Sequence, residues 1–249
     1  MKRSSLKKWL FRGMVASVFA FILLIGFMLN PSLSYAHHST IEGVEIYHEQ
    51  ELDPALTEII RNSKARIEAS PLFSEQLSFQ LCLKDGSNYP HLIESILGVD
   101  VIRSFSNINV VQAETDPGNQ YLIWKGHVFL YEQFLAHVMV HNLQFHHHGL
   151  WGSNPLGGHP EWKWEGYADY VVLGEKYELA ELYTAYKAAA DDPYVFVKLK
   201  DEEGSLKLHI GFLILTKYCM DNKNLTYQEF MEEDLEEGQL WKEISEHIR

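Results

Sequence analysis

The sequence contains few cysteines and none of the motifs that mark several common enzyme classes. Cys82 and Cys219 are the two cysteines in 249 residues. Their separation excludes a CxxC-type zinc site and leaves either a disulfide, if the protein is exported, or two buried thiols. The sequence also shows no phosphate-binding P-loop, serine-nucleophile motif, internal repeat or low-complexity tract. Nucleotide-dependent and serine-dependent chemistry is therefore not indicated.

Acidic residues are absent from the first 36 positions, which contain five lysines and arginines. The remaining residues contain 16 basic and 34 acidic side chains, a net charge of −18. Such an acidic body repels nucleic acid and anionic membranes, and no basic patch offsets it. We therefore expect no nucleic-acid partner, and membrane contact only through the N-terminal segment.

An apolar run from Met14 to Leu29 follows the basic start, and Ser34-Tyr35-Ala36 then forms a small-x-small pattern. This order is typical of a secretory signal, and we expect residues 1–36 to be cleaved after Ala36. The alternative is an uncleaved membrane anchor at residues 13–29. Both predict that residues 37–249, a single domain, are exported: secreted, periplasmic or on the cell surface.

Histidine, in contrast, is abundant: there are 13, and seven of them lie between His127 and His159. His137 and His141 are four residues apart, so on a helix their rings share one face, which suits two nitrogen ligands of one metal ion. Glu165 and Asp169 repeat this spacing on a second predicted helix. Glu165 can supply an oxygen ligand, and Asp169 can hold a histidine ring from behind.

The stretch from Phe134 to Tyr170 resembles the gluzincin branch of zinc metallopeptidases, to which the thermolysin and aminopeptidase N types belong. In that family an HExxH helix gives two histidine ligands and a downstream ExxxD or EGxAxY helix gives a third ligand. Here LAHVMVH stands where the family has LAHExxH, and EWKWEGYADYV is similar to the third-ligand helix. The resemblance implies Zn²⁺ bound by His137, His141 and Glu165, with Asp169 supporting His137.

The resemblance also implies an α+β, zincin-like fold, in which a small mixed sheet borders a mainly helical C-terminal part. We expect the sheet in residues 37–128 and the helices in residues 129–249. In the family, the edge strand of that sheet commonly pairs with an extended peptide substrate. A peptide or protein ligand is therefore the expected partner.

Two positions depart from the family pattern. Val138 occupies the place of the catalytic glutamate, which takes a proton from the metal-bound water and passes it to the leaving amine. Valine can do neither, and a general acid–base group is typically worth about 10²–10⁴-fold in rate. Trp164 stands where thermolysin-like and aminopeptidase N-like enzymes have asparagine. The sequence thus predicts a metal site that hydrolyses peptides poorly.

The local patterns predict several elements around this site. Asp53-Pro54 opens a helix whose inner face is formed by residues 56, 59, 60, 63 and 67. The first site helix is expected from Phe129 to about His147, with Gly149 as its C-cap, and the second from Trp162 to Leu173. Thr226 and Glu229 form a capping-box pattern that opens a late acidic helix.

Three functions compete. The first is a metal-binding but catalytically impaired member that binds a peptide or protein. The second is a working hydrolase with a substitute base: Glu161 or His159 could approach from the loop, whereas Glu132, five residues before His137, is expected to point elsewhere. The third is a histidine-rich envelope protein that carries metal. His148, His159, His209 and Tyr218 are further cleft candidates, although helix capping explains the 146–148 histidine run and core packing explains the last two residues equally well.

Overall fold

The structure is a computed structural model that describes residues 3–200 and 203–248. It is an α+β fold with small sheets, as the sequence predicts. The helices are α1 (Arg3–Met28), α2 (Leu56–Ile67), α3 (Tyr89–Leu97), α4 (Tyr131–Gly152), α5 (Glu161–Leu173), α6 (Leu179–Ala188), α7 (Lys207–Lys217), α8 (Tyr227–Glu232) and α9 (Glu237–His247). The strands are β1 (His37–Ile41), β2 (Val44–His48), β3 (Phe79–Cys82), β4 (Ile102–Phe105), β5 (Ile108–Val111), β6 (Glu114–Asp116), β7 (Tyr121–Trp124), β8 (His127–Leu130), β9 (Phe196–Lys198) and β10 (Gly204–Leu206).

The largest sheet is mixed and has the strand order β1-β2-β3-β5-β4. Its central pairs, β2 with β3 and β3 with β5, are parallel, whereas the hairpins β1–β2 and β4–β5 are antiparallel. Strand β4 therefore lies at one edge of the sheet, next to the site described below. A three-stranded antiparallel sheet, β6-β7-β8, leads directly into α4.

One apolar core joins the large sheet to the site helices. The predicted inner face of α2 is buried throughout, from Leu56 to Ile67. Helix α4 buries Leu135, Met139 and Leu143, which recur with helical spacing and so turn one stripe of the helix inward. Burying this stripe fixes the opposite stripe of α4, which carries the paired histidines, toward the sheet edge and α5.

The boundaries differ from the prediction at both ends of the first site helix. Residues 127–130 form β8, so the helix begins at Tyr131 rather than Phe129. It continues to Gly152, but Gly149 has φ 68° and interrupts the helical backbone at the predicted cap. Glycine adopts this conformation without the steric penalty of a side chain. The β9–β10 hairpin also lies in the part that was expected to be helical.

A second, smaller core lies on another part of the large sheet. We call it the anchor-side core, and its buried members are Met28, Tyr35, Tyr47, Cys82, Tyr89, Ile93, Ile108 and Val110. Both cysteines are free and buried, and Cys219 belongs to the main core. Of the two sequence alternatives for the cysteines, the structure therefore has two buried thiols rather than a disulfide.

Helix α1 contains a 20-residue apolar span, Trp9–Met28, with a mean hydropathy of 2.2. It is long and apolar enough to cross a membrane, and a signal sequence has the same properties. This property weakly fits the predicted export.

Candidate metal centre

Two neighbouring helices bring the predicted ligands together. Helix α4 supplies His137 and His141 from consecutive turns, and α5 supplies Glu165 and Asp169 in the same way. His137 Nε2 lies 3.1 Å from His141 Nε2 and 3.1 Å from Glu165 Oε2. His141 Nε2 lies 3.2 Å from the same carboxylate oxygen. These three atoms form a nearly equilateral triangle.

The size of this triangle suits a small divalent cation. Zinc bonds of about 2.0–2.1 Å in tetrahedral geometry place ligand atoms roughly 3.3 Å apart. The observed separations of 3.1–3.2 Å are close to that value. The three side chains are also largely shielded from solvent, with exposed fractions of 10%, 14% and 25%.

Hydrogen bonds on the far side of each imidazole orient its free nitrogen into the triangle. His137 Nδ1 lies 2.8 Å from Asp169 Oδ1, and His141 Nδ1 lies 2.8 Å from Gln144 Oε1. The amide nitrogen of Gln144 donates to the Trp164 carbonyl, which leaves its oxygen facing His141. Both rings therefore donate from Nδ1 and turn Nε2 toward Glu165. Two imidazole nitrogens and a carboxylate that converge in this way could hold a cation in place of a proton.

The electrostatics of the site favour a positive charge at its centre. Burial opposes a charge on His137, but Asp169 and Glu165 outweigh it and raise the pKa of His137 to about 10. Burial also opposes the charge on Glu165, yet the neighbouring His141 and His137 hold its pKa well below the usual range. A divalent cation satisfies the same carboxylates that here favour a protonated imidazole.

His209, at the start of α7, completes the polar surroundings. Its Nδ1 lies 3.0 Å from Asp169 Oδ2, so Asp169 holds His137 with one oxygen and His209 with the other. Burial opposes the charge on His209, but Asp169 and Glu165 raise its pKa. One donor atom each from His137, Glu165 and His209 lies within 4.8 Å of the others, so this group could also hold a metal ion. The His141 contacts are shorter, which favours His141 as the third ligand.

A cleft of about 720 Å³ opens over the triangle, within the size range of small-molecule and peptide sites. Its walls include β4 at the sheet edge, and Leu150 and residues 153–156 after the Gly149 kink. Val138, next to His137 in the sequence, also lines the cleft and is 3% exposed. The position of the family's glutamate thus faces the cleft, but it presents two methyl groups.

Trp164 also lines the cleft and packs beside the ligands. Its ring is nearly parallel to that of His141, at 3° with centroids 6.1 Å apart, and it also stacks on His159. The tryptophan at the second departure from the family pattern therefore occupies a packing position between two histidines.

The remaining sequence candidates are placed as follows. Glu132 is held by Arg66 and Asn62 and is not among the cleft-lining residues, so it is not positioned as a base. Glu161 lines the cleft and is exposed. His148 contacts Tyr227, and His159 bonds to the Gly152 carbonyl. Tyr218 packs against His247, and the structure does not bring it to the described cleft.

Gln144 is a site residue that the sequence reasoning missed. It lies three residues after His141, a spacing that places the two side chains together on a helix. The i, i+3 spacing from His141 was available in the sequence, whereas the burial of Gln144 was not. Comparison with protein-family models, characterised proteins and solved structures gave no match to this chain.

Proposed function

We propose that this is an exported, zinc-binding, peptidase-like protein that holds an extended peptide across its cleft and hydrolyses it weakly or not at all. One observation carries the proposal. The three donor atoms of His137, His141 and Glu165 converge, while the cleft-lining residue next to His137 in the sequence is Val138. Zinc is favoured because two imidazoles and one carboxylate are a common ligand set for it in peptidases. Bound there, zinc would polarise a water molecule or a carbonyl oxygen.

The chain's own groups support binding better than turnover. Asp169 and Gln144 fix the tautomers of the two histidines, and His209 can donate a hydrogen bond from its second nitrogen to a ligand oxygen. Strand β4 lies at the sheet edge beside the cleft, where an extended peptide can add as a further strand. Val138 has no atom that can accept a proton, so the step that needs a general base lacks its group.

A working peptidase is the second candidate, and Glu161 is the observation that favours it. Its carboxylate is exposed and belongs to the cleft wall, at the first turn of α5. If Glu161 is the base, chelator-sensitive hydrolysis by the natural sequence should fall by about 10²–10⁴-fold in Glu161→Gln. A metal carrier is less favoured, since the close groups of donors described in residues 3–200 and 203–248 share one centre at His137 and Glu165.

Binding of both metal and peptide tests the proposal. The purified full chain, kept in detergent, should contain one zinc ion and should bind fluorescent, unstructured peptides from a mixed library. Leu150→Glu, which changes a cleft-lining residue, should weaken peptide binding several-fold. Its neighbour Trp151 is exposed and is not a cleft-lining residue, so Trp151→Glu is the matched control. Equal effects of the two changes, or no peptide binding at all, would contradict the peptide-binding role.

A further inference from the structure

The apolar helix α1 continues into the folded domain rather than ending in a free linker. Before its C-terminal end, where Met28 is buried, its 20-residue span lies at the surface, and large side chains such as Phe11, Phe19 and Phe21 are more than 60% exposed. A 20-residue helix is about 30 Å long, the thickness of a bilayer's hydrocarbon core. Soluble proteins rarely expose an apolar surface of this size, so the span needs an apolar environment.

The end of this helix is a structural part of the domain. Met28 and Tyr35 are 6% and 9% exposed and belong to the anchor-side core with residues of β2, β3, β5 and α3. The Tyr35 ring lies 5.8 Å from that of Tyr89, edge to face. Phe27 also packs against Tyr89, with ring centroids 6.5 Å apart. The residues before Ala36 thus cover one side of Tyr89.

Hydrogen bonds hold the same segment to residues 83–89, between β3 and the start of α3. The Tyr89 hydroxyl donates to the Met28 carbonyl, and the Ser87 hydroxyl donates to the Ser34 carbonyl at 2.9 Å. The Tyr35 hydroxyl donates to the Leu83 carbonyl at 2.8 Å. Pro31–Leu33 form one 3-10 turn, and β1 begins at His37. Between helix and sheet there is consequently no extended, flexible linker.

Cleavage after Ala36 would remove these contacts. Tyr89 would lose the Phe27 and Tyr35 rings that cover it, and its hydroxyl would lose the Met28 carbonyl as acceptor. Exposing an apolar cluster to water and losing buried hydrogen bonds both destabilise a fold. A domain that uses residues 28–35 in its core is stable when those residues stay attached.

We propose that α1 is a retained membrane anchor whose C-terminal end is built into the domain, so that the domain lies directly against the lipid bilayer. The partner of the exposed apolar surface is the hydrocarbon of the membrane. The five basic residues of the first 12 positions remain on the cytoplasmic side, and the metal-binding domain faces outward. This proposal selects the anchored alternative over the cleaved signal, and it is independent of the zinc site.

The fate of the N-terminus in the full chain tests the anchor. With a C-terminal tag, the protein from a bacterial host should have the mass of the uncleaved chain. It should stay in the membrane through an alkaline carbonate wash and leave only with detergent. After reconstitution it should float with phosphatidylcholine vesicles in a density gradient. A soluble protein that begins at His37 would overturn the proposal, as would sedimentation of self-associated chains without lipid.

A matched pair of variants tests whether the anchor's end is part of the core. In the detergent-solubilised full chain, Tyr35→Ala should lower the melting temperature by several degrees, because it removes a buried ring and a hydrogen bond. Leu33 is 66% exposed and lies two residues away, so Leu33→Ala should leave the melting temperature unchanged. Equal melting temperatures for the natural sequence and Tyr35→Ala would show that the segment is not built into the domain.

Discussion

Helix α4 carries two histidine groups that look alike in ring packing and differ in chemistry. The rings of His137 and His141 lie 4.8 Å apart at 86°, and those of His147 and His148 lie 4.9 Å apart at 88°. Among the described residues, a carboxylate faces the first pair and not the second. The histidine pKa values of the two groups differ accordingly. His137 has a pKa raised to about 10, whereas burial and the charges of His147 and His159 lower that of His148 to about 4.

The partners behind the rings explain the difference. His137 and His141 donate from Nδ1 to oxygen atoms of Asp169 and Gln144, which leaves both Nε2 atoms facing Glu165. In the second group, the Tyr227 hydroxyl bonds to His148 Nε2. The His159 ring, which packs on His148 from the loop after α4, bonds through Nε2 to a backbone carbonyl. Proximity of rings alone therefore does not favour metal binding. An oriented ring nitrogen and a converging carboxylate do, and the first group has both.

The largest expected effect comes from replacing Val138, the cleft-lining residue next to His137. Val138→Glu places a carboxylate one residue after His137 and should raise peptide hydrolysis by up to roughly 10²–10⁴-fold. The measurement is the rate of cleavage of mixed peptides with and without a chelator. Val138→Gln is the control, because it has a similar shape but takes up no proton. Equal rates for the Glu and Gln variants, or for Val138→Glu and the natural sequence, would refute the missing-base account.

Removing one member of each group tests the comparison directly. His141→Ala should weaken zinc binding by more than the roughly 100-fold that the loss of an outer partner can cause. His148→Ala, on the same helix, should leave zinc affinity unchanged. Competition titration with a chromogenic chelator measures both. If the two variants lose equal amounts of affinity, the histidines are interchangeable and the assigned triangle is wrong.

The outer partner of His137 should have a smaller effect. Asp169→Asn keeps the shape of the side chain but removes the charge that supports His137 and His209, so zinc affinity should fall by about 10–100-fold. The same titration measures it, beside a melting curve that confirms folding. Affinity within a factor of two of the natural sequence would mean that Asp169 does not hold the ligand.

The second group should change how the protein's stability depends on pH, rather than its affinity for zinc. The folded pKa of His148, about 4, lies below the ordinary value of 6.5, so between these values the unfolded chain takes up a proton that the folded chain does not. His148 therefore contributes stability that is present above pH 6.5 and is lost as pH falls toward 4. From pH 7 to 5, the melting temperature should fall more for the natural sequence than for His148→Gln. Parallel curves would contradict the buried, neutral state of His148.

Much of the first group could be predicted from the sequence because it depends on the spacing of residues within one helix. The spacing of His137 and His141, and of Glu165 and Asp169, places each pair on one helix face before any tertiary contact is known. The capping box of Thr226 and Glu229 is likewise local, and both of its hydrogen bonds form. These features depend on helix geometry alone, so the sequence suffices to predict them.

Other features depend on contacts between distant segments, and the sequence did not reveal them. Phe129 and Leu130 were expected in a helix, but pairing with β7 makes them part of a strand. Met28 and Tyr35 were expected in a removable signal, yet they pack on Tyr89, more than fifty residues later in the chain. Tyr218 was a cleft candidate because it lies on or near the apolar helix, whereas the packing of α9 places it beside His247.

The most direct test of the central claim is the position of zinc in a crystal of the natural sequence. An anomalous difference map at the zinc absorption edge should show one peak, about 2.0–2.2 Å from His137 Nε2, His141 Nε2 and a Glu165 carboxylate oxygen. No peak should lie among His147, His148 and His159. A zinc-loaded crystal with its peak at that second group, or with none inside the triangle, would contradict the account.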